Sequence, residues 1–180
     1  MILQQPLAFV DIETTGLDHE KGEIIELGVV IARLRDDTLE VIDQLDLKIM
    51  PKHIETADAQ ALRINGYNEA DWIFAVSIED ALNTFVKKTE GAVFVAHNIV
   101  FDYGFIEANL KRYGIEDKFH YHKLDTLALA FGILQNNDDM GKLSLRALCE
   151  KYGIENKKAH SAFADAYATF EVFKKLLNLK

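Results

Sequence analysis

One hundred and eighty residues, 49% hydrophobic and 27% charged, suit one globular domain over residues 1–180 and include no apolar run long enough to span a bilayer. A lone Cys149 excludes an internal disulfide framework and fits a reducing compartment, which makes the cytoplasm the expected location. The net charge of −9 argues against gripping a long duplex by phosphate neutralisation, yet residues 142 to 180 carry +4 and residues 1 to 141 carry −13, so a short strand can bind where metal ions and this basic stretch supply the charge.

The opening "MILQQPLAF" has no basic region and no small-residue cleavage site, so no signal peptide is read there. Leu7 to Glu13 predicts a buried central strand. Ile24 to Arg33 and Leu39 to Ile49 predict two more, joined through "RDDT" as an antiparallel hairpin. Apolar spacing predicts helices over His53 to Ile64 and Ser77 to Lys88. Ala92 to Ala96 reads as a short buried strand and Phe101 to Tyr113 as a helix. "HKLDTLALAF" starts extended and turns helical. "LSLRALCEKYG" and "SAFADAYATFEVFKKLL" are the last two helices, with Ser144 and Ser161 as N-caps. Strands first, then helices alternating with short strands, predict an α/β fold with a mixed sheet flanked by helices.

Three short stretches bring acids to the ends of these elements. In "AFVDIETTGLD" the strand side chains at i and i+2 share a face, so Asp11 and Glu13 point together. Two neighbouring carboxylates repel, and a hard divalent cation such as Mg²⁺ resolves the conflict. The alternative is a pair of solvated acids capping backbone donors. In "FVAHNIVFDYGF", His97 and Asn98 follow a strand and Asp102 sits early in a helix. There the plain account is an Asn98 N-cap and an Asp102 that complements the helix dipole. In "KKAHSAFADAYATF", His160 and Asp165 are five apart, about 140° around a helix, and cannot share one helical face. If both serve one site, His160 lies in a loop before the helix and Asp165 projects from the helix itself. An ordinary surface histidine and a first-turn aspartate are the alternative. Taken together, four carboxylates at strand ends and helix starts balance two divalent cations, the composition of a two-metal phosphoryl-transfer centre.

"DIETTG" (11 to 16), "HNIVFD" (97 to 102) and "HSAFADA" (160 to 166) resemble the three exonuclease motifs of the DEDD superfamily. The histidine five positions before the last aspartate marks the DEDDh branch, which includes the proofreading subunit of bacterial DNA polymerase III, RNase T and oligoribonuclease. "IIELGVV" (24 to 30), "LDTLALA" (124 to 130) and "LSLRALCEKYGI" (143 to 154) are also similar to family segments, so the resemblance spans nearly the whole chain. It implies an RNase H-like fold and 3′–5′ exonuclease activity that releases nucleoside 5′-monophosphates. It also implies that Asp11, Glu13, Asp102 and Asp165 hold two Mg²⁺ or Mn²⁺ ions and that His160 is the general base, able to close on a strand end and withdraw. By the same resemblance, Thr14, Thr15, Gly16 and Leu17 cradle the terminal nucleotide, with Ile64 and Asn65 beside the base pocket. Many relatives carry histidine where Asn65 stands. His97, Asn98 and Phe101 belong to the second motif as substrate-side residues, with His97 and Asn98 orienting their neighbours. Phe163 is either a stacking aromatic or a core residue. Lys142, Arg146, Lys157 and Lys158 are either phosphate contacts or a solvated basic face.

Other readings have less behind them. His120 and His122 in "FHYHKLD" could form a metal pair, but no third ligand lies near them in sequence. No phosphate-binding GxxxxGK[ST] or dinucleotide GxGxxG occurs, and Trp72 reads as a packing residue. A non-catalytic nucleic-acid- or polymerase-binding module would be expected to have lost an acid or the histidine, and none is lost here. The expected partner is the 3′ end of single-stranded DNA, with RNA as the alternative, because telling them apart needs a contact to the 2′-hydroxyl. The chain closes on "FKKLLNLK" with no visible polymerase tether, so a free-standing enzyme or an excised domain is expected, and nothing in the sequence fixes its oligomeric state.

Overall fold

The computed structural model describes residues 4–136, 141–156 and 160–178. Its sheet comprises β1 (Leu7–Thr14), β2 (Ile24–Arg35), β3 (Thr38–Lys48), β4 (Val93–Ala96) and β5 (Lys123–Asp125), in the order β3-β2-β1-β4-β5. β1, β4 and β5 run parallel, and β2 is antiparallel to both its neighbours. This is the mixed sheet expected of an RNase H-like fold. The hairpin at "RDDT" forms as predicted: Asp36 and Asp37 take φ of 47° and 61°, the left-handed pair that suits the twist of two adjoining strands.

Six α-helices complete the described chain: α1 (Ala59–Ile64), α2 (Ile78–Lys88), α3 (Ile99–Tyr113), α4 (Thr126–Leu134), α5 (Leu145–Tyr152) and α6 (Ala162–Leu176). Strand alternation divides β1 between two cores. Ala8, Val10 and Ile12 face one side, packed with Leu82 and Phe85 of α2 and Phe105 and Ile106 of α3. Leu7 and Phe9 face the other, packed with Ala166, Phe170 and Phe173 of α6. Phe9 meets Phe170 and Phe173 edge-on at 5.4 and 5.3 Å, a favourable aromatic geometry. β2 is buried on both faces, which is why it reads as a nearly unbroken apolar run.

One predicted helix differs. The stretch from His53 to Ile64 is split into a 3-10 turn, Ile54–Thr56, and α1. Ala57 is extended, the Asp58 amide donates to the Thr15 carbonyl at 2.8 Å, and the Asp58 carboxylate caps α1 through the Gln60 amide. A tertiary hydrogen bond thus outweighs local helix preference. Trp72 packs as expected: it is buried, its indole N–H donates to the Ile25 carbonyl at 3.2 Å, and Lys48 Nζ lies 3.4 Å from its ring centre. Among the described residues no helix is long and apolar enough to cross a membrane.

Candidate active site

The face of β1 that begins with Leu7 and Phe9 continues with Asp11 and Glu13, so one strand face passes from core to acid within four residues. α6 lies against that face and makes the same change. Its Phe170 and Phe173 meet Phe9, and Ala166, one turn before Phe170, directly follows the acid Asp165, near the helix start. The third stretch arrives from the other side of the sheet. Asp102 on α3 is 4% exposed, and its Oδ1 accepts the backbone N–H of Ile12, between the two β1 acids, at 3.2 Å. Asp102 also lies in the first turn of α3, so that contact adds to the plain helix-dipole account.

The turn feeding α3 is held at Asn98, whose φ of 68° is left-handed, a conformation asparagine tolerates better than most residues. Asn98 stands at the N-cap position, but its side chain makes no capping bond there. Its own amide donates to Asp125 Oδ1 at 3.0 Å, and the same oxygen caps α4 through the Leu127 amide at 2.9 Å. Asp125 therefore ties the turn after β4 to the start of α4.

His160 lies before α6, as the five-residue spacing requires, and it is exposed. Its φ of 68° is a strained choice for a non-glycine residue, of the kind concentrated at functional sites. The His160 amide donates to Asp165 Oδ2 at 3.0 Å, and the Asn156 side-chain amide donates to Asp165 Oδ1. One ligand atom from each of Glu13, His160 and Asp165 falls within 4.8 Å of the other two, the one such cluster among the described residues. Sequence reasoning assigned no role to Asn156.

Burial and mutual repulsion set the protonation of these acids. Asp11 is pushed well above the ordinary carboxylate range by burial first, then by the charges of Asp102, Asp165, Glu13 and Glu26. Burial, with Asp165 and Glu26 behind it, raises Glu13 to about 7. Asp102 rises to about 8, again through burial, which outweighs the lowering effect of the Ile12 N–H. Such neighbouring raised carboxylates mark a site built to meet positive charge.

The predicted substrate-side residues divide. Leu17, Asn98 and Phe101 line a shared pocket of about 250 Å³ with His19, Val100 and Phe105. Leu17 is 83% and Val100 79% exposed, unusual for aliphatic side chains. Ile64, at the end of α1, is half exposed, and Gly16 is half-buried. Four others have polar groups that bond within the protein. Thr14 Oγ1 donates to the Gly16 carbonyl, and Thr15 both donates its amide to the Glu23 carbonyl and accepts the Glu23 amide on its hydroxyl. Asn65 is buried, its amide bound to the Thr14 carbonyl and its oxygen to the Tyr67 N–H. His97 Nδ1 lies 2.9 Å from Thr126 Oγ1, which also lies 3.2 Å from the Ala96 carbonyl. Burial lowers its pKa and keeps it neutral, an orienting group at the end of β4. Phe163 is half-buried against the Phe9 core cluster, in line with the packing alternative. Lys142 is exposed, Arg146 pairs with Glu150 at 3.0 Å, and Lys157 and Lys158 lie outside the described residues. Ahead of β5, His120 stacks on Tyr121 and on His122, and among the described residues no third metal ligand joins the pair.

A second pocket, of about 530 Å³, opens beside His160 and Asp165 and is lined from α5 by Arg146, Cys149 and Glu150 and by Asn156. Two residues that sequence reasoning left without a role fix how α6 meets the sheet. Gly28 pairs with Asp11 across the strands, and a Cβ there would fall 2.2 Å from the backbone of Ala162 and Phe163. Glu26 pairs with Glu13, and its Oε2 accepts the Ala162 amide at 3.1 Å. Both lie in "IIELGVV", and their cross-strand partners become visible only once the hairpin register is known.

Known proteins agree with this geometry. Residues 8–173 match the RNase T family model, described as exonuclease. The PolC-type DNA polymerase III of Staphylococcus aureus is 33% identical over 167 residues, covering 93% of this chain and 11% of the polymerase. Escherichia coli exonuclease I in complex with a dT13 oligonucleotide superposes with a TM-score of 0.78 at 20% identity, over 97% of this chain and 41% of that one. An apo exonuclease I structure gives 0.79 at 18% identity, over 98% of this chain and 43% of that one. The chain thus spans a small part of the polymerases it matches and about two-fifths of exonuclease I. By its match along nearly its whole length and by the acids and histidine that its fold gathers, the chain belongs to the exonuclease family, as a 3′–5′ exonuclease of the DEDD type.

Proposed function

We propose that this chain removes nucleotides one at a time from the 3′ end of single-stranded DNA, with two divalent ions, Mg²⁺ or Mn²⁺, held by Asp11, Glu13, Asp102 and Asp165. The observation that carries the reading is the meeting of the three motifs: Asp102 bonds to β1 between Asp11 and Glu13, while Asp165 and His160 close on Glu13 from α6. The donor set fits a hard cation, since only carboxylates held under mutual repulsion in a buried setting gain so much from an oxygen-preferring ion. When bound, the ions would activate water and stabilise the departing 3′ oxygen.

The chain's own residues do the rest. His160 takes a proton from the water that attacks the phosphorus of the terminal nucleotide. The bond from that phosphorus to the O3′ of the preceding nucleotide breaks, leaving a nucleoside 5′-monophosphate and a strand one residue shorter with a 3′-hydroxyl. The pocket between Leu17, Val100 and Phe101 offers the terminal base an apolar seat. DNA is favoured because relatives include a DNA polymerase and an exonuclease solved with a DNA oligonucleotide. An exoribonuclease acting on RNA 3′ ends is the second reading.

The test is digestion of 5′-labelled single-stranded DNA and RNA of one sequence, with Mg²⁺, with Mn²⁺ and with EDTA, beside Asp11→Ala and His160→Ala. A ladder shortening from the 3′ end, faster on DNA and lost with EDTA and in both variants, is expected. Absence of a ladder from folded protein with either metal would overturn the function, and a faster ladder on RNA would overturn the substrate.

A further inference from the structure

The start of α6 carries both the base and one carboxylate of the site; the His160 amide bonds to Asp165 across the turn, but the N-cap side chain does not secure it. Ser161 stands at the N-cap position and its side chain makes no capping bond. The first amide of the helix, Ala162, instead donates to Glu26 Oε2 at 3.1 Å, across 136 residues of sequence. The other oxygen, Oε1, takes Lys48 Nζ at 3.0 Å, and that ammonium sits over the Trp72 ring at 3.4 Å. Glu26 is buried and its bond to the Ala162 amide is shielded from water, while the Lys48 end of the other bond reaches solvent. β3, β2 and the helix are thereby linked through one carboxylate.

The placement is costly. Glu26 sits directly across from Glu13, and like charges opposed on neighbouring strands destabilise a sheet. Its charge also contributes to the raised pKa of Asp11 and Glu13. A neutral residue would serve the sheet better. What this side chain does that an apolar one would not is accept the first amide of a helix on one oxygen while the half-exposed Lys48 holds the other and fixes its rotamer. Ala162 lies two residues after His160 and three before Asp165, so its amide sets the height of both against β1. Gly28, two residues further along β2, lets the same backbone approach.

We infer that Glu26, clamped by Lys48 on Trp72, is a positioning residue of the exonuclease site: it fixes the His160 turn and the first turn of α6 against Glu13, and it acts through them without touching substrate. The inference rests on the function proposed above. The test compares wild type, Glu26→Ala, Glu26→Gln and Lys48→Met in two measurements. One is steady-state digestion of a single-stranded DNA oligonucleotide with saturating Mn²⁺. The other is the NMR ring signal of His160 in the metal-free protein, assigned by its loss in His160→Ala. Glu26→Ala is expected to lower kcat on the order of 10- to 100-fold with KM nearly unchanged, because small misplacements of a reacting group cost that much. Its His160 signal should shift. Glu26→Gln keeps an oxygen for the Ala162 amide and should recover most of kcat and the wild-type His160 signal, and Lys48→Met should fall between. A Glu26→Ala enzyme with wild-type kcat, or a loss that Glu26→Gln does not relieve while the His160 signal stays put, would overturn the inference. Should wild type itself digest nothing, the proposed function fails, and the His160 signal in Glu26→Ala still decides the positioning.

Discussion

α2 and α6 begin in opposite ways. α2 starts on a serine that caps its own helix: Ser77 Oγ accepts the Asp80 amide at 3.1 Å and donates to the Asp80 carboxylate at 2.8 Å. α6 starts on a serine that caps nothing, and its first amide goes to a glutamate on β2. The first helix covers a core face; the second presents Asp165 and the His160 turn to the acids of β1. A helix that only packs can take its boundary from neighbours in sequence. A helix that must place reacting groups takes its boundary from the surface those groups address.

The strongest way to break this contrast is to alter the first-turn aspartates. Asp165→Asn should abolish digestion of single-stranded DNA in a gel assay, whereas Asp80→Asn, which touches only the local cap of α2, should leave it unchanged. Gly28→Ala comes next. A Cβ 2.2 Å from the backbone of α6 must push the helix off β2, costing about 1–3 kcal/mol in a denaturant titration and most of the activity, while the α2 side of the sheet is untouched.

A pH series sharpens the contrast between the apolar face and the acidic one. Glu13 at about 7 and Asp102 at about 8 are both raised above their unfolded values near 4. They therefore favour the fold while protonated; this contribution is full below about pH 4 and is lost as pH rises through 7 to 8. Calorimetry in EDTA should show Tm falling between about pH 5 and pH 8.5 from this source. Mn²⁺ should restore Tm, and more at the alkaline end, where the deprotonated cluster repels itself most. A Tm rising with pH in EDTA would contradict the repulsion assigned to the site.

The smallest expected effect is the most direct check on the two helix starts. Ser77→Ala should cost about 1 kcal/mol of stability, the usual worth of a lost cap. Ser161→Ala should change it by less than about 0.5 kcal/mol, since its hydroxyl caps nothing. Equal losses would mean that α6 is capped locally after all.

Much of this site could be read along the chain because it depends on short-range spacing. Period-2 alternation put Asp11 and Glu13 on one face, and a five-residue gap forced His160 out of the helix that carries Asp165. The "RDDT" hairpin and the helix beginning at Ser77 are likewise local decisions of turn and cap chemistry. The break at Ala57 was not legible, since it depends on Asp58 reaching Thr15. Nor were the internal bonds that occupy Asn65 and His97, because a polar side chain's partner across the fold leaves no mark beside it in sequence.

The candidate acids and histidine, and the elements that bear them, are legible in the sequence because backbone periodicity and motif spacing act over a few residues. Tertiary structure alone decided how these pieces face one another. The register that sets Glu26 against Glu13 and Gly28 against Asp11, and the approach of α6 that this register permits, rest on contacts between residues as much as 136 positions apart. Contacts of that range are settled by the packing of the whole sheet, so no local segment specifies them.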